Sequence, residues 1–272
     1  MKAGIVDLNS EFDPQETAAL FMNSAHGIGS EFSHTGLGGP SIYPTPALGL
    51  TLLDKPAEGW SLRGGIFDGV AGDPNHPRRF AIKLSARDGA LLIGQAERRF
   101  GDALRVEGGA YLYTARFDSL DDFTPVGAPR KHDGDGGIYG LIEGKIRPGG
   151  EGGEGGLNGW LRAGSANDDI NRIADYFGGG LVYTGIVPGR PKDEAGLAIA
   201  RAGFGSPARE AAEVTGSSLH RAETTLEATY RVAFRDWLTL QPDVQYVVHP
   251  DGLPNVRNAL VIGVRLVLTT TR

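Results

Sequence analysis

Charged and amide side chains recur at every second position within apolar stretches of this sequence. The set comprises Arg63, Arg105, Glu107, Glu143, Lys145, Arg162, Glu227, Arg231, Asp243, Gln245 and Arg265. Arginine donates hydrogen bonds from a planar fork and carboxylates accept them, so a surface carrying both suits hydroxyl-rich solutes such as sugars. The pattern indicates a polar solute path and names no catalytic residue, cofactor or metal ligand.

Two kinds of structure would place these side chains on one face. In a soluble β-sandwich that binds carbohydrate, they would form the solvated outer face. In a membrane barrel they must line the lumen, because a charge on the lipid face near the midplane costs roughly 2–4 kcal/mol. The connections between the strands favour the barrel.

Other chemistry-bearing residues do not converge in the sequence. His26, His34, His76, His132 and His220 fall in predicted loops and His249 at a strand end, with no i,i+4 pair on a helix, so no zinc site is expected. Asp133-Gly134-Asp135-Gly136 resembles half of a calcium loop, but no acidic residue closes it at the right spacing. We predict a turn there.

An outer-membrane lipid hydrolase is the enzymatic alternative. Such a site requires a Ser/His pair within hydrogen-bond reach on the lipid-facing rim. The neighbouring pairs Ser24/His26 and Ser33/His34 lie in one long predicted loop, and no Gly-x-Ser-x-Gly motif occurs. Nothing in the sequence requires catalysis.

Period-two alternation of apolar and polar residues predicts about twelve strands of roughly the length that crosses a bilayer when tilted. The pattern is clearest near the C-terminus, where Leu226 and Ala228 alternate with Glu227 and Thr229. The predicted strands are Ala3–Leu8, Leu48–Asp54, Trp60–Asp68, Gly89–Phe100, Leu104–Arg116, Ile138–Arg147, Leu157–Ser165, Gly179–Val187, Asp193–Gly203, Leu226–Phe234, Leu238–Val248 and Ala259–Thr269, and Arg79–Leu84 also alternates.

The links between these strands are alternately short and long. The short ones include Lys55–Glu58, Gly101–Asp102 and Arg235–Asp236, and the long ones include Phe117–Gly136 and Phe204–Arg221. Every second link of an up-and-down sheet lies on the same rim, so one rim has tight turns and the other long loops. This is typical of outer-membrane β-barrels.

The longest link, Asn9–Ala47, is far longer than a connector requires, and such loops are usually functional. We expect it to fold inward and narrow the lumen. Short helices are predicted over Pro14–Phe21, Asp168–Phe177 and Pro207–Val214, and the glycine-rich segment Gly149–Gly156 is expected to be a flexible turn.

Composition agrees with a barrel of one domain over residues 1–272. The chain has no Cys. Its net charge of -6 gives no reason to expect nucleic-acid binding. No run of about 18 apolar residues occurs, so no transmembrane helix is predicted. The N-terminus lacks the features of a signal peptide, which indicates either a removed signal or an internal fragment with a start Met.

Several stretches resemble the carbohydrate-selective porin family, the OprB-like porins. They are Asp7-Leu8-Asn9-Ser10-Glu11-Phe12, Asn23-Ser24-Ala25-His26-Gly27-Ile28-Gly29 with Phe32-Ser33, Phe67-Asp68-Gly69-Val70 with Gly72-Asp73-Pro74, Gly89-Ala90-Leu91-Leu92-Ile93, and Leu240-Gln241-Pro242-Asp243-Val244-Gln245-Tyr246-Val247 with Asn258-Ala259-Leu260. The resemblance implies a bacterial outer-membrane barrel through which sugars diffuse. The family's first strands have no counterpart here, so the chain is expected to be the C-terminal portion of a larger barrel.

The sequence therefore predicts an all-β, antiparallel up-and-down transmembrane barrel that acts as a passive porin. Its expected partners are sugars, similar small polar solutes and outer-membrane lipid. A second copy of the chain, in a homo-oligomer, is a further possible partner. The lipid hydrolase and the soluble carbohydrate-binding sandwich are the alternatives.

Overall fold

A single antiparallel sheet of twelve strands forms the framework, and each strand pairs with its neighbours in sequence. The computed structural model describes residues 1–72, 82, 84–149 and 155–269. The strands are β1 Lys2–Val6, β2 Ala47–Asp54, β3 Trp60–Asp68, β4 Ala90–Phe100, β5 Leu104–Phe123, β6 Pro129–Pro148, β7 Gly156–Ala166, β8 Ile173–Thr184, β9 Glu194–Phe204, β10 Ala222–Arg235, β11 Leu238–Val248 and β12 Ala259–Leu268.

Helices are few and short. The α-helices are α1, Ser30–Ser33, and α2, Ser206–Val214, and 3-10 turns cover Leu8–Ser10, Thr17–Leu20, Ser24–His26 and Pro250–Gly252. Within the described part of the chain, none of the helices is long and apolar enough to span a membrane.

The antiparallel meander is confirmed, and the soluble sandwich is not observed in the described residues because all twelve strands belong to one sheet. One end of the sheet, the short-turn rim, carries the links 55–59, 101–103, 149–155, 185–193 and 236–237. The other end, the loop rim, carries the links 7–46, 69–89, 124–128, 167–172, 205–221 and 249–258. The longest link, residues 7–46, is called the inner loop below.

The pairs run in series from β1 to β12, and no pair between β1 and β12 occurs among the described residues. The expected closure of the ring is therefore not observed in the described part of the chain. Each of these two strands has one hydrogen-bonded neighbour, β2 for β1 and β11 for β12.

Three local predictions differ from the structure. Ile173–Phe177 belongs to β8, where Phe177 pairs with Arg201, so the helix over Asp168–Phe177 is wrong. Asp133–Gly136 lies within β6 rather than in a turn, next to a register shift opposite Tyr113 and Arg116. The predicted long loop Phe117–Gly136 is mostly an extension of the β5–β6 hairpin.

Other local predictions agree or lie outside the described residues. The helix predicted over Pro207–Val214 is confirmed as α2, and the one over Pro14–Phe21 is a shorter 3-10 turn, Thr17–Leu20. Most of Arg79–Leu84 and of Gly149–Gly156 lies outside the described residues.

Alternation along each strand separates two faces. On β10 and β11, Leu226 and Val244 are exposed, whereas their sequence neighbours Glu227 and Asp243 are buried. The inner loop packs against the polar face, which is called the concave face below, and the apolar face points away from the loop. The predicted separation into an apolar outer face and a charged inner face is confirmed at these positions.

Candidate functional site

The inner loop is packed against the concave face of the sheet. Leu8, Phe12 and Phe32 are fully buried in a cluster with aromatic residues of the sheet, which is called the wall below. The ring of Phe32 stacks on Tyr111 with centroids 4.0 Å apart and an interplanar angle of 11°. The prediction that this loop folds inward is confirmed.

Arg162 on β7 makes the most buried ionic contact between the wall and the loop. Its Nε and Nη2 donate to the carboxylate of Asp13 at 3.0 and 2.7 Å, and its Nη1 lies 2.8 Å from Glu31 Oε1. All three side chains are inaccessible to solvent. The guanidinium also lies 5.5 Å from the ring centre of Tyr139 and 5.2 Å from that of Tyr176.

Two glycines allow this close approach. A Cβ atom at Gly29 in the loop would collide with Arg162 Nη1, and one at Gly164 on β7 would collide with Glu31 Oε1. The absence of a side chain at these positions lets the two carboxylates reach one guanidinium, whose positive charge offsets part of the cost of burying them.

A second cluster surrounds Arg105 on β5. Its guanidinium donates to Glu97, Glu107 and Glu143, and its Nη2 donates to the carbonyl oxygen of Pro14 in the loop at 2.6 Å. Glu143 in turn accepts from the backbone N–H groups of Glu16 and Thr17. A carboxylate that accepts two backbone donors fixes the start of the Thr17–Leu20 turn against the wall.

A third group of contacts comes from β10, β11 and β12. Glu227 accepts from the backbone N–H groups of Met22 and Asn23, and Gln245 Oε1 accepts from the Asn23 amide at 3.1 Å. Gln241 Nε2 and Arg265 Nη2 both donate to the carbonyl oxygen of Leu20. The loop is therefore tied to opposite sides of the concave face.

His26 in the loop is buried in the same region. Its ring lies between Phe21 and Trp160, with centroid distances of 5.1 and 5.4 Å, and its Nε2 is 3.5 Å from Glu227 Oε2. Burial lowers the pKa of His26 to about 4, against the opposing effect of Asp243. His26 is therefore neutral at pH 7. Elsewhere in the loop, hydrogen bonding to Arg99 lowers the pKa of Glu16.

The eleven residues predicted to line a lumen divide into two groups. Seven contact the inner loop directly. They are Arg63, which donates to Glu11 of the loop, and Arg105, Glu143, Arg162, Glu227, Gln245 and Arg265. Glu107 supports Arg105, and Asp243 accepts from Gln245. The structure thus places nine of the eleven residues in one contact network with the loop, which the sequence did not indicate; that the eleven line a lumen stays a prediction.

The remaining two predicted residues lie near the short-turn rim. Arg231 forms an ion pair with Glu194 on β9, and its side chain is less than half exposed. Lys145 is exposed, pairs in register with Asn158, and forms no ion pair within the described part of the chain.

A polar crevice of about 290 Å³ opens between the Thr17–Leu20 turn and the wall near this rim. It is lined by Glu16, Thr17, Ala19, Leu20, Asn158, Val182, Glu194 and Arg231. The sequence analysis identified only Arg231 of this set. Asn158 lies between Leu157 and Gly159 on β7, so alternation could have identified it, whereas Glu194 follows another acidic residue, Asp193, and shows no such alternation.

Neither Ser/His pair forms a nucleophile and base. Both ring nitrogens of His26 lack a hydrogen-bond partner among the described residues, so Ser24 does not bond to either of them. Ser33 Oγ lies 3.0 Å from His34 Nδ1, but the same nitrogen lies 2.9 Å from the carbonyl oxygen of Ser30. Because a carbonyl oxygen can only accept, Nδ1 carries the proton and cannot take one from Ser33. Over the described residues, no group of three or more His, Asp or Glu side chains is placed to hold a metal ion.

Comparison with known proteins identifies relatives of this chain. The family model described as "Carbohydrate-selective porin, OprB family" matches residues 1–269. Porin B of Pseudomonas aeruginosa is 32% identical over 109 residues, which are 35% of this chain and 24% of that protein. The chain thus matches about a quarter of the length of this curated relative.

Solved structures share the fold. The high-pH structure of Pseudomonas putida OprB superposes with a TM-score of 0.84 at 22% identity, covering 98% of this chain and 68% of that one. The outer membrane channel DcaP of Acinetobacter baumannii gives a TM-score of 0.55 at 10% identity, covering 86% and 64%. At these identities the likeness establishes the architecture and not the solute.

Proposed function

The chain belongs to the carbohydrate-selective porin family, and we propose that it forms the wall and inner loop of a bacterial outer-membrane channel for sugars. Sugars and similar small polar solutes would diffuse through it passively. The expected domain, one barrel over residues 1–272, is part of this proposal. Membership of this family supports a channel function rather than that of a lipid hydrolase.

The observation that carries the proposal is the loop inside the sheet. Three clusters around Arg162, Arg105 and Glu227 hold residues 13–31 against the concave face. A loop fixed inside an aqueous lumen narrows it, and the lumen then selects by width and by the polar groups along it.

The outer face has the composition that a lipid environment requires. Leu92, Ile142, Leu161, Leu226 and Ile262 are exposed on the side opposite the loop. Exposed aliphatic side chains in such numbers would be a liability in water but are favourable in the hydrocarbon core. The proposed partners of this face are outer-membrane lipid and, as a further proposal, a second copy of the chain.

The structure supports a division of roles among the eleven predicted residues. We assign Arg105, Glu107, Glu143, Arg162, Glu227 and Asp243 to the attachment of the loop, because they are buried beneath it. Arg63, Arg231, Gln245 and Arg265 are partly exposed and remain candidates for contact with passing solutes, as does the exposed Lys145. Arg231 is the strongest of these because it opens into the crevice.

Single-channel recording on the full chain in planar bilayers tests the proposal. Stepwise conductance in salt is expected, with a current that falls as glucose is added and binds within the lumen. Swelling of proteoliposomes in isotonic glucose should exceed swelling in a tetrasaccharide of the same osmolarity. Absence of conductance and of glucose entry from correctly inserted protein would refute the function.

A further inference from the structure

The crevice at the short-turn rim is built from both the inner loop and the wall. Thr17 and Leu20 come from the loop, Asn158 from β7, Glu194 from β9 and Arg231 from β10. Its volume of about 290 Å³ lies at the lower end of the range for small-molecule sites. That volume suits a single sugar ring and excludes a chain of several rings.

Hydrogen-bonding groups of both kinds face this space. The guanidinium of Arg231 is paired with the carboxylate of Glu194, so donors and acceptors lie side by side. The side chains of Thr17 and Asn158 form no hydrogen bond to another residue in the part of the chain that the structure describes. These two groups are therefore available to a solute without breaking an existing contact.

Charge balance indicates the class of solute. Glu194 is neutralised by Arg231, and Glu16 is neutralised by Arg99, which donates to it from the wall. Among the residues that line the crevice, an anion or cation would find each opposite charge already paired. A neutral polyol can both donate to the carboxylates and accept from the guanidinium, because every hydroxyl does both.

Apolar groups complete the lining. Leu20, Ala19 and Val182 border the crevice beside its polar residues. The ring of a hexose exposes C–H groups on its faces and hydroxyls at its edge, so a site that recognises it combines a few placed polar groups with an apolar wall.

We propose that this crevice is a binding site for one neutral hexose ring, with Asn158, Glu194, Arg231 and Thr17 as its hydrogen-bonding residues. The inference rests on the proposed function, because it adds a subsite to the same solute path. The site lies at the short-turn rim, away from the fully buried Arg162 and its carboxylates, and it depends on the inner loop being in place.

Protection of an introduced thiol tests occupancy directly. The chain contains no cysteine, so Asn158→Cys places a single reactive thiol in the crevice. Glucose is expected to slow its modification by a neutral methanethiosulfonate at least threefold. Asp236→Cys is the matched control, because Asp236 lies at the same rim but is exposed and bonded to Lys192 outside the crevice. Equal rates with and without glucose at position 158 would overturn the proposal.

Removal of the carboxylate provides an independent measurement. Glu194→Gln keeps the shape of the side chain and removes one charged acceptor, and Asp236→Asn removes a charge of the same sign outside the crevice. Loss of one hydrogen bond should raise the glucose concentration that half-blocks the current roughly threefold to tenfold in Glu194→Gln. The Asp236→Asn variant should match the parent.

The outcomes separate this site from the channel itself. Normal conductance and glucose entry with unchanged block in Glu194→Gln would overturn the crevice and leave the porin intact. A parent chain that inserts but neither conducts nor admits glucose would overturn the porin and the crevice together. Weaker glucose block in Glu194→Gln, with block unaltered in Asp236→Asn, would support the site.

Discussion

At the scale of single residues, Arg162 determines how firmly the inner loop is attached. Replacement of Arg162 by Met leaves Asp13 and Glu31 buried without their cation, and breaking a buried ion pair in this way costs about 3–5 kcal/mol. We expect a lower free energy of unfolding in denaturant titrations of the inserted protein. A larger, noisier conductance should accompany it as the loop loosens.

Arg116→Met is the matched control for that variant. Arg116 pairs with Asp133 on the outer part of the hairpin, where both side chains are largely exposed. Exposed pairs of this kind contribute about 0–1 kcal/mol. Equal unfolding free energies and equal conductance for the two variants would show that Arg162 does not hold the loop.

His26 should make the stability of the folded chain depend on pH. Burial lowers its pKa from 6.5 to about 4. Between these values the unfolded chain binds a proton that the folded chain excludes, so stability falls as the pH drops from about 6.5 towards 4. The slope contributed by one such group is at most about 1.4 kcal/mol per pH unit.

Comparison with His26→Gln isolates this contribution, because Glu227, Asp243 and the other titrating groups are common to both proteins. The difference in unfolding free energy between pH 7 and pH 5 should be smaller in the variant. Identical pH dependence in the two proteins would mean that His26 is protonated as easily when folded as when unfolded.

The alternation along the strands identified which residues face the inside of the sheet, but it did not identify the residues that they contact. Period two places Arg105 and Arg162 opposite the apolar face, because only one register keeps charges out of lipid. Their partners Pro14, Asp13 and Glu31 lie in a segment without regular alternation, and their positions depend on how the loop folds back. Local patterns in the sequence carry no information about contacts of that separation.

At the scale of elements, the β5–β6 hairpin shows where the apolar belt ends. The outward positions of β5 from Leu104 to Leu112 carry apolar residues or glycine, and the next outward positions are Thr114, Arg116 and Asp118. The apolar part has roughly the 9–11 residues that a tilted strand needs to cross a bilayer. The strand then continues into water, with cross-strand ion pairs such as that of Asp118 with Lys131.

Arginine substitutions along this hairpin should therefore have different costs. Val106→Arg places a charge in the belt and is expected to lower the unfolding free energy by up to roughly 2–4 kcal/mol, the cost at the midplane. Val126→Arg lies at the tip of the hairpin, where the side chain is exposed beyond the belt, and should have almost no effect. Denaturant unfolding in lipid vesicles measures both, and equal costs would place the boundary elsewhere.

The errors in element prediction have physical causes. Ile170, Ile173, Ala174 and Phe177 fit a helical period, yet Gly178–Gly180 continue β8 because neighbouring side chains fill the space above these glycines. A Cβ at Gly178 would collide with the Tyr176 ring. The extension of β5 was missed because the charges at Arg116 and Asp118 resemble loop composition, although alternation with Phe117 and Ser119 continues.

At the scale of the whole molecule, the fold was predictable because a sheet with short links permits only neighbouring pairs. The two-residue link between β10 and β11 forces a hairpin, and the same argument applies at each short turn. The site was less predictable, because the crevice between Thr17 and Asn158 exists only when the inner loop is folded against the wall. Its position depends on packing among residues far apart in sequence.

The two outer strands of the sheet lead to a further prediction. In the described residues β1 and β12 have a hydrogen-bonded neighbour on one side only. Backbone N–H and C=O groups without partners in hydrocarbon cost several kcal/mol each, so neither edge can face lipid unpaired. We expect both edges to be paired in the inserted full chain, with each other or with another strand.

Amide hydrogen exchange of the inserted protein checks this expectation at β12. Alternate N–H groups between Leu260 and Leu266 point towards β11 and should exchange slowly in any case, which provides an internal control. The intervening N–H groups point away from β11 and report on the edge. Slow exchange of both sets, comparable with that of central strands such as β7, is expected because a paired edge is protected from water. Fast exchange confined to the outward set would show that the edge lies open to water and that the sheet does not close in the membrane.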